Sequence, residues 1–172
     1  MTPEPFGRAD QSGPRQRRQS ADPKASPSGI PAGTVVLTAD GEIPVEFLTS
    51  GDRIVTRDTG MVRLAGIARR TAVVRLILFA AGSLGHTRPD HDLILPADQA
   101  VLIRDWRASA FTGQTQALVP AGALVDGEFI RDLGPQRLCL HLLRFARPQV
   151  IYAGGMELAG ATMDGTVLHD AA

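Results

Sequence analysis

Gly29-Ile30-Pro31-Ala32-Gly33-Thr34 and, a few residues on, Asp40-Gly41-Glu42-Ile43-Pro44-Val45-Glu46-Phe47-Leu48-Thr49-Ser50-Gly51-Asp52-Arg53-Ile54-Val55-Thr56-Arg57-Asp58 decide how this chain is read. Thr34 to Thr38 is mostly β-branched, which suits a half-buried pleated surface. Asp40-Gly41 is a tight-turn dipeptide that closes it. Ile43 to Leu48 is short and apolar, and Ser50-Gly51-Asp52 turns the chain again. Arg53 to Arg57 alternates charged or polar with apolar residues, as an edge strand does, before a further turn at Asp58-Thr59-Gly60. Short strands separated by turns, with no helical period, predict an all-β domain.

The same grammar continues downstream. Met61 to Leu78 is a long β-capable stretch, with breaks expected at Gly66 and at Arg69-Arg70. Gly82 to Asp92 reads as a loop. Leu93–Leu95 and Val101–Arg104 read as short strands around Pro96-Ala97-Asp98, and Ala117–Val119 as another. Pro120 to Leu124 suits one helical turn. Arg137–Leu143 and Gln149–Ala153 are expected to form a closing pair.

Upstream, residues 1–28 read as a disordered Pro/Ser/Arg-rich tail, too poor in apolar residues to offset its ordering entropy. Its Arg15, Arg17 and Arg18 are diluted by Glu4, Asp10 and Asp22. Residues 29–155 form the expected domain and residues 156–172 the expected C-terminal tail. In the whole chain, 18 basic residues balance 18 acidic ones, so bulk charge gives no argument for nucleic acid or an anionic surface. Aromatic residues are only 5%, so a core must be built from Val, Ile, Leu and Ala. A single cysteine, Cys139, excludes an intrachain disulfide and a multi-cysteine zinc site. The longest apolar run, Leu76 to Ala81, is too short to span a bilayer, and no signal-peptide segment is visible. The default expectation is a cytoplasmic protein, with export without a signal peptide as the alternative.

Three blocks together resemble the bacterial branch of the Hint (Hedgehog/intein) superfamily. The first is the opening stretch. The second is Ala81-Gly-Ser-Leu-Gly85, Pro89-Asp-His-Asp92-Leu-Ile-Leu95 and Val101-Leu-Ile103. The third is Leu118-Val-Pro-Ala121, with His141-Leu-Leu143 and Val150-Ile-Tyr-Ala-Gly-Gly155. The resemblance implies a compact, disk-like, all-β fold and descent from autoprocessing domains. In such domains the first residue, Cys or Ser, attacks the preceding carbonyl. A histidine assists at the scissile nitrogen, and a Ser or Thr with backbone donors steadies the oxyanion.

Carried over residue by residue, the nucleophile position falls on Gly29, the histidine on Gln99, the motif Ser or Thr on Pro96, and a later histidine near Pro148. Glycine has no attacking atom, and a glutamine amide moves no proton near neutral pH. The expectation is therefore a pseudoenzyme without catalytic residues or cofactor, acting as a scaffold or as an interaction module for an unidentified protein partner. With so little chain on either side, splicing in the strict sense is not expected.

Two alternatives stay open. In one, a register slip by one residue makes Ser28 the start of an N–O acyl shift, although Ser28 also simply ends a Ser-rich tail. Thr34 and His141 are the other candidates at family positions, with His141 read as a structural hydrogen-bonding residue. In the other, the 82–92 loop binds a small molecule or a metal through His86, Asp90, His91 and Asp92, at a spacing that fits no zinc motif. Cys139, between Leu138 and Leu140, reads as an inert strand thiol. Trp106 reads as packing over a hairpin end or as a binding anchor, and His169 as solvated.

Overall fold

The computed structural model describes residues 28–164. Its first sheet holds β1 (Ile30–Pro31), β6 (Gly66–Phe79), β7 (Leu93–Pro96) and β10 (Ile130–Phe145), in the order β1-β10-β6-β7, with β13 (Ala161–Thr162) alongside β10. The second holds β2 (Val35–Thr38), β3 (Gly41–Pro44), β4 (Arg53–Thr56), β5 (Gly60–Arg63), β8 (Ala100–Ile103), β9 (Ala117–Pro120), β11 (Val150–Ala153) and β12 (Met156–Ala159). Its order is β3-β2-β4-β11-β12-β8-β9, with β5 on β4. The all-β expectation holds, with one short helix added.

The opening stretch folds as its turns dictate. Asp40-Gly41 joins β2 to β3, and Thr38 Oγ1 closes the turn on the Gly41 carbonyl at 2.7 Å. Gly51 N–H donates to the Leu64 carbonyl at 2.8 Å, which ties the next turn to the end of β5. The core is aliphatic, as the scarcity of aromatics requires. Leu48, Ile54, Ile77, Leu95, Ile151 and Leu158 are fully buried around Phe79 and Phe145.

Several local expectations are corrected. Arg137–Leu143 does not pair with Gln149–Ala153. It belongs to β10, which runs antiparallel to β6 over its whole length, while β11 pairs with β12, β2 and β4. Arg69-Arg70 does not interrupt β6, since both side chains are exposed and the ladder continues opposite His141 and Leu140. β4 is an interior strand, flanked by β2, β5 and β11 rather than by solvent. Although no helical period is visible, a short helix lies between β8 and β9, α1 (Trp106–Thr112), capped by the Asp105 carboxylate accepting from Arg107 N–H at 2.9 Å and ended at Gly113 in the left-handed region. Two turns of helix are too few for a periodicity argument. The expected helical turn after Pro120 is present as a 3-10 turn, Ala121–Leu124.

The expected boundary at Gly155 is also corrected. Met156–Ala159 is buried at all four positions and lies between β11 and β8. Residues 165–172, with His169, and residues 1–27 lie outside the described residues. Among the described residues no helix is long and apolar enough to cross a membrane.

Candidate functional site

Gly29 is buried where the chain enters β1. Ile30 and Pro31 pair with His141 and Leu140 of β10, and Ala32 N–H donates to the Cys139 carbonyl at 3.3 Å. This pairing lays Gly29 directly on β10. A Cβ there would sit 3.2 Å from Leu140 Cβ and 3.3 Å from the His141 carbonyl oxygen, and its φ of +144° is one that side chains rarely adopt. The backbone route and the residue therefore agree.

Gln99 comes to the same point from the turn between β7 and β8. Its own N–H donates to the Pro96 carbonyl at 3.0 Å, and its carbonyl accepts from Ala121 N–H at 2.9 Å. The side chain is 2% exposed. Oε1 accepts from Gly29 N–H at 3.2 Å, while Nε2 donates to the carbonyls of Ala100 at 3.1 Å and Ala159 at 3.0 Å. Two carbonyls can only accept and one amide N–H can only donate, so the network fixes which end of the amide faces which group. Met156–Ala159, expected in the C-terminal tail, thus supplies one wall of the site.

The remaining candidates are placed as follows. Pro96 is buried at the end of β7, with its carbonyl bound by Gln99. Thr34 is 8% exposed, and its carbonyl accepts from Val45 N–H at 2.9 Å. It lines a groove of about 470 Å³ with Gly33, Leu76, His91 and Gln136. His141 is 2% exposed, yet its Nδ1 makes no hydrogen bond, so the structural hydrogen-bonding role expected of it is not made through that nitrogen. Glu46 is held below the usual carboxylate range, first by the Gly33 amide donating at 2.8 Å and then by its own amide. Burial opposes this, and the nearby His141 and Arg69 add to it. Pro148 is exposed in the turn after β10, next to the buried Gln149, whose Oε1 accepts from Thr59 Oγ1 at 2.9 Å. Ser28 is half-buried, one residue before the amide that Gln99 holds.

The 82–92 loop does not gather its candidates. His91 Nδ1 meets Asp90 Oδ1 at 2.7 Å, Asp92 is bound to Ala81 N–H at 2.9 Å, and His86 is exposed. Among the described residues no three His, Cys, Asp or Glu side chains lie close enough to hold a metal ion. Cys139 is a half-buried thiol on β10. Trp106 is 74% exposed on α1, with the Arg107 guanidinium 5.4 Å from its ring, and so does not pack over a hairpin end.

One cluster escaped sequence reading. Glu157, 3% exposed on β12, takes Arg57 on one oxygen at 2.9 Å and both Arg88 and Arg104 on the other at 3.0 Å. The four residues are scattered along the chain, so no spacing marks them. The one local signal is a glutamate set between apolar residues of the Met156–Ala159 run.

Comparison with known proteins matches the architecture. A family model described as Hint domain matches residues 29–163. The chain belongs to the Hint domain family. This Hint domain is similar to the solution structure of a bacterial intein-like domain from Clostridium thermocellum, at 15% identity and a TM-score of 0.53 over 78% of this chain and 99% of that one. It is also similar to the gp41-1 intein, at 14% identity and a TM-score of 0.50 over 77% of this chain and 98% of the intein. A splice-inactive variant of the AceL NrdHF class 3 split intein matches at 12% identity and a TM-score of 0.51, over 80% and 100% of the two chains. At these identities the likeness is one of fold. No curated protein sequence matches the chain.

Proposed function

We propose that this Hint domain has given up the acyl shift of its family and serves as a folded scaffold or interaction module. The observation that carries the reading is the bond from Gly29 N–H to Gln99 Oε1. In the family's chemistry a histidine works at the nitrogen of the first residue, and here the residue aligned with it by sequence reaches that very nitrogen in space. The contact is that of a neutral acceptor. A glutamine amide delivers no proton to a departing amine, and Gly29 offers no sulfur or oxygen to take the acyl group. Loss of one member of such a set costs about 10³-fold or more, and loss of the nucleophile removes the route. The backbone at Gly29, with its φ of +144° and only tight room for a Cβ against β10, supports a position adapted to glycine.

Shift chemistry at Ser28 is the second reading. It would break the bond between Pro27 and Ser28, whose nitrogen lies one residue upstream of the one Gln99 holds. The geometry therefore favours the scaffold.

Intact-mass spectra of the full chain carrying an N-terminal tag, followed over days with and without thiol or hydroxylamine, test this. One unchanging mass is expected. A fragment that begins at Ser28 or Gly29 would overturn the reading.

A further inference from the structure

The Glu157 cluster carries more positive than negative charge. Three guanidinium groups meet one carboxylate, both of whose oxygens are taken. The nearest other acid in the cleft, Asp105, does not make up the difference. One oxygen caps α1 and the other binds Arg107 at 2.6 Å. Arg57 spends its second terminal nitrogen on Gln116 at 2.9 Å. Arg88 and Arg104 are different. Among the described residues Arg88 bonds only through Nη1 and Arg104 only through Nη2, which leaves the other N–H groups of each fork unspent.

The surroundings favour a ligand there. Leu84, Leu102, Ile103 and Met156 wall the cleft, and apolar walls strengthen a local field. The space between the side chains is about 10 Å³, enough for one oxygen-sized atom. Arg88 is presented on a hydrogen-bonded turn. Its N–H donates to the Gly85 carbonyl at 3.0 Å, and its carbonyl accepts from Leu84 N–H at 2.9 Å. The two residues before it, His86 and Thr87, hold φ values of +49° and +57°, a conformation uncommon for such residues and frequent where a loop clamps a ligand.

We propose that Arg88 and Arg104, backed by Arg57, form an oxyanion site at the mouth of this cleft. It takes a phosphoryl or carboxylate group of a small molecule, with one oxygen entering between the two guanidinium forks and the others left at the mouth. Arginine forks suit both groups because each offers paired N–H donors to paired oxygens. The site is built from Arg57 just after β4, Arg88 of the 82–92 loop, Arg104 just after β8 and Glu157 of β12, and it owes nothing to the Gly29–Gln99 contact, so it stands whether or not the domain cleaves itself.

The test is a titration of the full chain with inorganic phosphate, with acetate, and with chloride at matched ionic strength, reading the arginine Nε–H resonances by NMR. Saturable shifts of Arg88 and Arg104 with phosphate, absent with chloride, are expected. An equal or larger response to acetate identifies the carboxylate as the preferred group. Arg88→Gln and Arg104→Gln should each weaken binding by about tenfold, the worth of one charge-assisted bond. Glu157→Gln, which removes the repelling charge, should tighten it. Shifts that follow chloride as closely as phosphate would overturn the proposal, as would unchanged affinity in folded Arg88→Gln/Arg104→Gln protein. Should these variants not fold, the comparison of phosphate with chloride on the unaltered chain decides alone.

Discussion

Replacing Gln99 with alanine separates a structural clamp from a relic of catalysis. The side chain makes three buried hydrogen bonds, one accepted from Gly29 and two donated to the carbonyls of Ala100 and Ala159. Each lost bond costs about 1 kcal/mol net. The emptied volume of a 2%-exposed side chain adds about one further methylene's worth, roughly 0.8 kcal/mol. The sum is about 3–4 kcal/mol, which in a domain of this size is roughly a 10 °C fall in Tm. Histidine in the same place keeps one acceptor and one donor. It gives up a single bond, so Gln99→His should cost only about 1 kcal/mol. Urea unfolding of the two variants and the parent, compared at constant m, measures both. A loss below about 1 kcal/mol for Gln99→Ala would refute the clamp. So would equal losses for the two variants, because hydrogen bonding would then not be what the side chain contributes.

Three further outcomes follow from the same geometry. Gly29→Ala should destabilise by about 2 kcal/mol, and Gly33→Ala by about 1 kcal/mol. Both have positive φ but only Gly29 is crowded by β10, so thermal melts that rank them the other way would contradict the close approach. Glu157→Ala should cost about 3–5 kcal/mol, since three guanidiniums lose their common carboxylate, and calorimetry should show the loss shrinking as salt screens the exposed sides of the arginines. Acid should destabilise the fold. Asp126 is pushed up by burial, but the amides of Ile130, Glu128 and Phe129 outweigh this, and its carboxyl lies below the usual range. Asp132, bound by the Gly134 amide and by Arg75, lies low for the same kind of reason. Depressed carboxyls contribute stability above their ordinary values near 4, and lose it as the pH falls through their folded values. The urea midpoint should therefore fall from about pH 5 downward. Asp126→Asn, which keeps an acceptor but not the charge, should flatten that slope.

Much of the fold was legible because its signals are local. Asp40-Gly41, Gly51 and Asp58-Thr59-Gly60 mark real turns, and the aliphatic composition foretells a core with few rings. What failed was pairing. Nothing in Arg137–Leu143 says that its partner is β6, some seventy residues away in sequence, rather than Gln149–Ala153 close by, because strand pairing is chosen by the whole sheet. Met156–Ala159 was misplaced for a related reason. Four residues after a Gly-Gly turn resemble a tail until burial between β11 and β8 is known. The site divided in the same way. Ordered motifs single out Gly29 and Gln99, and only the three-dimensional structure shows that the two touch. The Glu157 cluster, assembled from four distant elements, left no pattern to read.

The bonds of Gln99 also set an order of events during synthesis. Its oxygen reaches back seventy residues to Gly29, and its nitrogen reaches forward sixty residues to Ala159. Ile30, at the front, waits for His141 as its partner. A ribosome delivering this chain releases the first strand long before anything exists for it to pair with. Contacts that span such separations are slow to close and expose strand edges meanwhile. The bond from Gln99 to Ala159 therefore cannot close until residue 159 has emerged, whereas the hairpins β2–β3 and β4–β5 need nothing so far downstream.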